Sequence, residues 1–168
     1  MKVDDILAIQ RTLDASNVRF IVVGGLAVIA HGYLRVTRDA DIVIELIPDN
    51  IQRAFQALAS IDYRPTVPIT ADEFSNPEKR SKWREQKQMR VLQFWSDTHR
   101  ETKLDVFLEH PFDFEAEWAA AIKDTLAPGE QPLHIARIPT LIRMKKEAGR
   151  PRDIDDIEHL EILWKQKE

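Results

Sequence analysis

Two glycines and two aspartates carry the densest chemistry in this chain. Gly24 and Gly25 interrupt an apolar run, Phe20 to Val23, and Asp39-Ala40-Asp41 opens a second one, Ile42 to Leu46. Short apolar runs bounded by such breakers read as buried strands. Side chains two positions apart on a strand share a face, so Asp39 and Asp41 present their carboxylates side by side. Like charges held this close are unfavourable unless a cation lies between them, and hard oxygen donors suit Mg²⁺ or Mn²⁺. Glycines just ahead of a short helical segment, Leu26 to His31, let backbone N–H groups approach phosphate oxygens. Each half alone has an ordinary explanation: a solvated strand end for Asp-x-Asp, a simple turn for Gly-Gly. The order strand, glycine pair, short helix, Asp-x-Asp, strand points instead to a divalent cation and phosphates.

A third carboxylate stands in a similar setting. Asp105 is flanked by Leu104 and Val106 within the apolar stretch Lys103 to Leu108, so those neighbours face the other side of the sheet. A carboxylate inside a strand is costly unless paired or metal-bound. The alternative is an edge strand with one wet face, on which Asp105 points to water.

These parts in this order resemble the nucleotidyltransferase superfamily typified by DNA polymerase beta. Its signature is a glycine pair, or Gly-Ser, before Asp-x-Asp or Asp-x-Glu, with a third carboxylate on a later strand. Thr37-Arg38 leading into Asp39 is also in the family's manner. The resemblance implies that Asp39, Asp41 and Asp105 bind Mg²⁺ (or Mn²⁺) and that Asp105 takes the proton of an acceptor hydroxyl. It also implies that the Gly24-Gly25 backbone holds the β- and γ-phosphates of a nucleoside triphosphate. Arg35 and Arg38 could meet phosphate, or could neutralise the aspartates. His31, on the short helix, is expected to pack or cap.

The C-terminal stretch adds to this likeness. Leu141-Ile142-Arg143-Met144-Lys145 is followed by Gly149-Arg150-Pro151-Arg152-Asp153 and a closing segment. Physically this is a helix ended by glycine, a proline joint, and a helix with an acidic start favoured by its dipole. The arrangement resembles the tail of bacterial nucleotidyltransferases of abortive-infection and toxin–antitoxin systems. That likeness implies that Lys145 reaches nucleotide phosphates, while Arg152 and Asp153 orient it or brace the joint. Lys146 points about 100° away on a helix and is the weaker choice.

The elements that must position these groups follow from periodicity. Val3 to Ala15 reads as an amphipathic helix, Arg19 to Val23 and Ala40 to Leu46 as strands, and Pro48 to Ala59 as a helix capped by Asp49 or Asn50. Tyr63 to Pro68 is a short extended piece. Arg90 to Trp95 and Lys103 to Leu108 suit an antiparallel hairpin. Phe112 to Ile122 reads as a helix, Leu133 to Ile138 as a last strand, and helices span Thr140 to Ala148 and Asp153 to Trp164. The expected fold is α+β: a mixed, mostly antiparallel sheet flanked by helices, with a C-terminal helical segment. It divides into a core over 1–138 and a packed segment over 139–168, or forms one domain over 1–168. The polar stretch Ile69 to Gln88 holds Lys79, Arg80, Lys82, Arg84 and Lys87 around Trp83. It is read as a solvated helix balanced by Glu78 and Glu85, or as a phosphate-facing element.

Composition narrows the class without naming it. The 168 residues are 43% hydrophobic and 31% charged, which suits a folded chain with a core. No cysteine is present, so disulfides, thiol chemistry and cysteine zinc sites are excluded. No apolar run approaches a transmembrane length and no signal pattern is seen, which suggests a cytoplasmic protein. A net charge of −4 exerts no general pull toward nucleic acid. The expectation is transfer of a nucleoside monophosphate, AMP from ATP, to a hydroxyl of a protein (a partner toxin or antitoxin), a tRNA or a small molecule. An antibiotic-type enzyme would want an acidic pocket, which Glu45, Glu73 and Glu109 do not clearly supply. An inactive nucleotide-binding module is the remaining alternative.

Overall fold

The computed structural model describes residues 1–167, which form eight helices and seven strands. In chain order these are α1 (Val3–Ala15), β1 (Phe20–Val23), α2 (Gly24–Ala30), β2 (Asp39–Ile44), α3 (Pro48–Ser60) and β3 (Tyr63–Pro65). They continue with α4 (Ala71–Ser75), α5 (Pro77–Lys87), β4 (Val91–Ser96), β5 (Lys103–Phe107) and α6 (Phe114–Ala120). The last four are β6 (Ile122–Asp124), β7 (Leu133–Ile135), α7 (Ile138–Ala148) and α8 (Pro151–Lys165).

One mixed sheet runs in the order β3-β4-β5-β2-β1-β7-β6. Four of its pairings are antiparallel, whereas β2–β5 and β1–β7 are parallel. All four residues of β1 are buried, as expected for a central strand covered on both sides. β4 and β5 alternate instead. Leu92, Phe94, Leu104 and Val106 are buried on one face, which leaves Gln93, Asp105 and their row on the other. Each such apolar side chain stabilises the fold by about 1.5–3 kcal/mol relative to exposure. Ile138, Leu141 and Leu160 from the last two helices join the same core cluster.

Local sequence explains most of the boundaries. Pro48 and Pro77 stand in the first turns of their helices, where the missing N–H costs nothing. Thr70 and Glu73 cap each other at the start of α4, and Asn76 accepts from Glu78 and Lys79 at the start of α5. The polar stretch 69–88 is therefore two capped helices, with Arg80 turned inward to donate to the Phe74 carbonyl. β5 lies between β4 and β2, so the edge-strand alternative for Asp105 is overturned.

Three expectations are corrected. Neither Asp49 nor Asn50 caps α3: Ile47 holds the N-cap position, and Asn50 is buried, bonding the Arg19 backbone and the Glu45 carbonyl. The helix expected over 112–122 stops at Ala120, and Ile122–Asp124 forms edge strand β6 against β7. Cross-strand pairing outweighs the helical pattern there. β3 ends at Pro65 rather than Pro68, and it is an edge strand, where proline is tolerated.

Candidate functional site

The residues of the glycine–aspartate pattern converge because of register. β2 and β5 run parallel, with Asp39 opposite Lys103 and Asp41 opposite Asp105. Asp41 and Asp105 are thus cross-strand neighbours on one face. β1 meets β2 with Val23 opposite Asp41, so the chain leaves β1 into Gly24 directly beside that carboxylate.

Gly24 has φ +63, and a Cβ there would lie 2.1 Å from Asp41 Oδ2. Only glycine fits both the left-handed backbone and the carboxylate's approach. A Cβ on Gly25 would come within 2.6 Å of Thr37 Oγ1. The glycine pair therefore has a steric reason independent of phosphate: it lets Asp41 and Thr37 close on the start of α2.

Electrostatics at this point is unfavourable without a cation. Burial, then the Asp105 and Asp39 charges, push the Asp41 carboxyl up to about 7, partly offset by Arg150 and Lys145. Burial also raises Asp105, opposed by a hydrogen bond that Gln93 donates to it at 2.9 Å. Gln93 lies opposite Asp105 on β4.

Above these carboxylates opens a cleft of about 810 Å³. Asp39, Asp41 and Asp105 line its floor, with Gly24 and Gly25 beside them. Arg38, Lys145 and Arg152 also line it, so every site residue expected from sequence borders one cavity. Arg35, Arg90 and Arg150 add three further cations. Val91, Phe107, Leu141 and Met144 give it an apolar wall.

The tail departs in detail from the expected arrangement. Lys145 is buried, with Nζ 2.5 Å from Asp156 and 3.5 Å from Asp153. Asp156 also accepts from Arg35, and Asp153 is bound by Arg150 Nε at 2.8 Å. Arg150, not Arg152, braces the joint. Asp156, which read only as a favourable helix-start charge, holds the buried Lys145 and the half-buried Arg35. Burial opposes ionisation of Asp153, but Arg150 and Lys145 keep its carboxyl below the usual range. Tyr33 bonds Asp155 and stacks on His159 at 3.8 Å between ring centroids, so the 31–38 loop is strapped to α8. His31 is buried and donates from Nε2 to the Ala136 carbonyl at 2.8 Å, a packing role as expected.

Of the acids weighed for a cationic substrate, Glu45 pairs with Arg19, Glu73 with Lys79 and Glu109 with Arg84. The signals sequence reading lacked were Gln93, Asp156 and Arg150. Gln93 alone could have been found, by laying out the β4–β5 hairpin.

Asp39, Asp41 and Asp105 offer hard oxygen donors of the kind Mg²⁺ takes. Among the described residues no three His, Asp or Glu side chains come together as a group that could by itself hold a metal ion. Mg²⁺ sites of one or two carboxylates are completed by phosphates and water, which is compatible with such an open floor. No helix among the described residues is long and apolar enough to cross a membrane.

No protein-family model matches the chain, and no curated protein matches it. Among solved structures it is similar to the crystal structure of an antigenic nucleotidyltransferase-like protein from Paracoccidioides brasiliensis. The TM-score is 0.53 at 18% identity, over 94% of this chain and 74% of that one. At that identity the likeness is one of fold: the chain has a nucleotidyltransferase-type architecture.

Proposed function

We propose that this chain transfers a nucleoside monophosphate, AMP from ATP, to a hydroxyl of an acceptor, with Mg²⁺ or Mn²⁺ bound by Asp39, Asp41 and Asp105. The observation that carries the reading is the meeting of the three carboxylates, the glycine pair and a ring of cations in one cleft. A bound divalent ion would neutralise the phosphates and the crowded carboxylates and make the acceptor hydroxyl more acidic.

The protein's own groups account for the rest. Asp105, its Oδ1 held by Gln93, is the base that receives the hydroxyl proton. Arg38 and Arg152 meet the triphosphate from the cleft walls, and the Gly24-Gly25 backbone leaves room for its close approach. Lys145, fixed by Asp153 and Asp156, contributes a positioned positive charge where pyrophosphate leaves. Positioning and charge stabilisation supply most of the rate in such transfers, so few reactive side chains are required. The pairing of the Glu45, Glu73 and Glu109 side chains weighs against a cationic drug as acceptor. The sequence pattern of the tail, Leu141 to Lys145 followed by Gly149 to Asp153, is what favours a toxin–antitoxin setting.

The test is incubation with α-labelled nucleoside triphosphates, Mg²⁺ and cell extract. Labelled acceptor should form with the wild-type protein and be lost in both Asp39→Ala and Asp41→Ala. Label transfer that survives both changes sinks the assignment.

A further inference from the structure

A second cavity, of about 360 Å³, lies at the other end of β1. The first cleft opens where β1 passes into Gly24, whereas this one is lined by Val18 and Phe20, where the strand begins. The two share no lining residue. Its size falls at the lower end of the range for small-molecule sites, about 300–1,000 Å³. Val18, Phe20 and Leu133 are buried and give it an apolar floor. Trp118 stacks on His134 at 3.6 Å between ring centroids to form one wall. Burial, then the Lys123 and Arg19 charges, hold the His134 imidazole below its ordinary value, so that wall is uncharged at neutral pH.

Asp14 lines the same cavity in a setting that disfavours a carboxylate. It stands in the last turn of α1, where the helix dipole opposes an acid and no basic residue is present. It is half-buried, and burial raises its carboxyl above the ordinary value against a hydrogen bond from Gln10, with no cation acting on it. Arg19, whose guanidinium lies 4.8 Å from the Trp118 ring centroid, is already paired with Glu45 and Glu115. Gln10, one turn before Asp14, is buried. Its amide donates to the Gln131 carbonyl, and its Oε1 has no partner among the described residues. The end of α1 thus carries two acceptors short of donors. Lys123 lines the cavity from β6, exposed, and forms no ion pair with Asp14 among the described residues.

An anion and a cation that border one cavity without neutralising each other suit a ligand that carries both charges. A metal ion would want more oxygen ligands than this wall supplies. A nucleotide would bring its phosphates against Asp14. We propose that the cavity is a binding site for a free α-amino acid with an aliphatic side chain. Its ammonium group donates to the Asp14 carboxylate, its carboxylate meets Lys123, and its side chain lies on Val18, Phe20 and Leu133. The site is separate from the transfer chemistry proposed above and does not depend on it.

The test is calorimetry on the full chain with three probes of one carbon skeleton. These are L-leucine, isoamylamine, which lacks the carboxylate, and 4-methylpentanoate, which lacks the ammonium group. Wild type should bind leucine, bind isoamylamine severalfold more weakly, and give no heat with 4-methylpentanoate. Asp14→Asn should weaken leucine by at least about tenfold. Lys123→Gln, an exposed change, should weaken leucine severalfold, leave isoamylamine unchanged, and keep the wild-type melting temperature. The ratio of leucine to isoamylamine binding in Lys123→Gln decides the matter even where Asp14→Asn fails to fold. Absence of leucine binding in the wild type, or leucine binding unchanged in Lys123→Gln and in folded Asp14→Asn, overturns the site. Isoamylamine bound as tightly as leucine by the wild type overturns the amino acid as its occupant.

Discussion

Asp41 and Asp105 stand directly opposite each other on parallel neighbouring strands, and Gly24, where β1 passes into α2, closes against the Asp41 carboxylate. Two acids in adjoining positions of a buried sheet are a cost to the fold that a cation removes. The Asp41 carboxyl is ordinarily near 3.8 and is raised to about 7 by burial and its acidic neighbours. A carboxyl raised on folding favours the native state while protonated. That contribution is present below about 4 and is lost as pH climbs through about 7. In metal-free buffer, thermal stability should therefore fall between pH 5 and 8 by an amount on the order of 2–4 kcal/mol. Asp41→Asn should flatten the profile, and Mg²⁺ should stabilise the wild type at pH 8 but not the variant. Parallel pH profiles for the two proteins would contradict this account.

Gly24→Ala tests the fit at the same carboxylate. The new methyl group would have to displace Asp41 and hold a left-handed backbone, so the fold should lose at least about 2 kcal/mol. Mg²⁺-dependent stabilisation should vanish with it. Gly32→Ala is the control for backbone strain: Gly32 has φ +108 with open space around it. If the two substitutions lower the melting temperature equally and both leave Mg²⁺ binding intact, the steric argument is wrong.

Asp156 should matter far more than a surface acid at a helix start. Its removal in Asp156→Ala leaves Lys145 and Arg35 without their shared carboxylate in a buried setting. A loss of about 3–5 kcal/mol is expected in urea melts. Glu158→Ala, on the exposed side of the same helix, should change stability by less than about 0.5 kcal/mol. A loss below 1 kcal/mol for Asp156→Ala would mean the cations find water or other partners.

A second buried acid titrates in the opposite sense. Burial disfavours the charged form of Asp5, but hydrogen bonds from Thr102 and His99 outweigh it and hold the carboxyl below its usual value. Its contribution is present above about 4 and disappears as the solution is acidified past the lowered folded value. Asp5→Ala should therefore narrow the stability gap between pH 6 and pH 3, read by acid titration of the circular dichroism signal. An unchanged acid limb would exclude Asp5 as a contributor.

The local half of this architecture was open to reading from the chain alone. Gly24-Gly25, Asp39-x-Asp41 and Asp105 announce themselves because strand periodicity and breaker residues are nearest-neighbour properties. The joint at Gly149–Pro151 is equally local. What was hidden depends on which strand lies beside which. Gln93 is an ordinary polar residue until the hairpin register sets it against Asp105. Arg150 stands three residues before Asp153 and Arg152 only one, so once α8 begins at Pro151 it is Arg150 that reaches the carboxylate. Ile122 looked like the end of a helix because nothing local reveals that β7 needs a partner over 122–124.

The strap between the 31–38 loop and α8 limits how the loop can be transplanted. Residues 34–37 make no backbone–backbone hydrogen bond of their own among the described residues, so their shape is lent by Asp155, Asp156 and His159. Loop and helix are thus one structural unit, although about 120 positions separate them in the chain. A graft that moves the loop into another scaffold without its helix would carry the letters of the motif and leave behind its conformation.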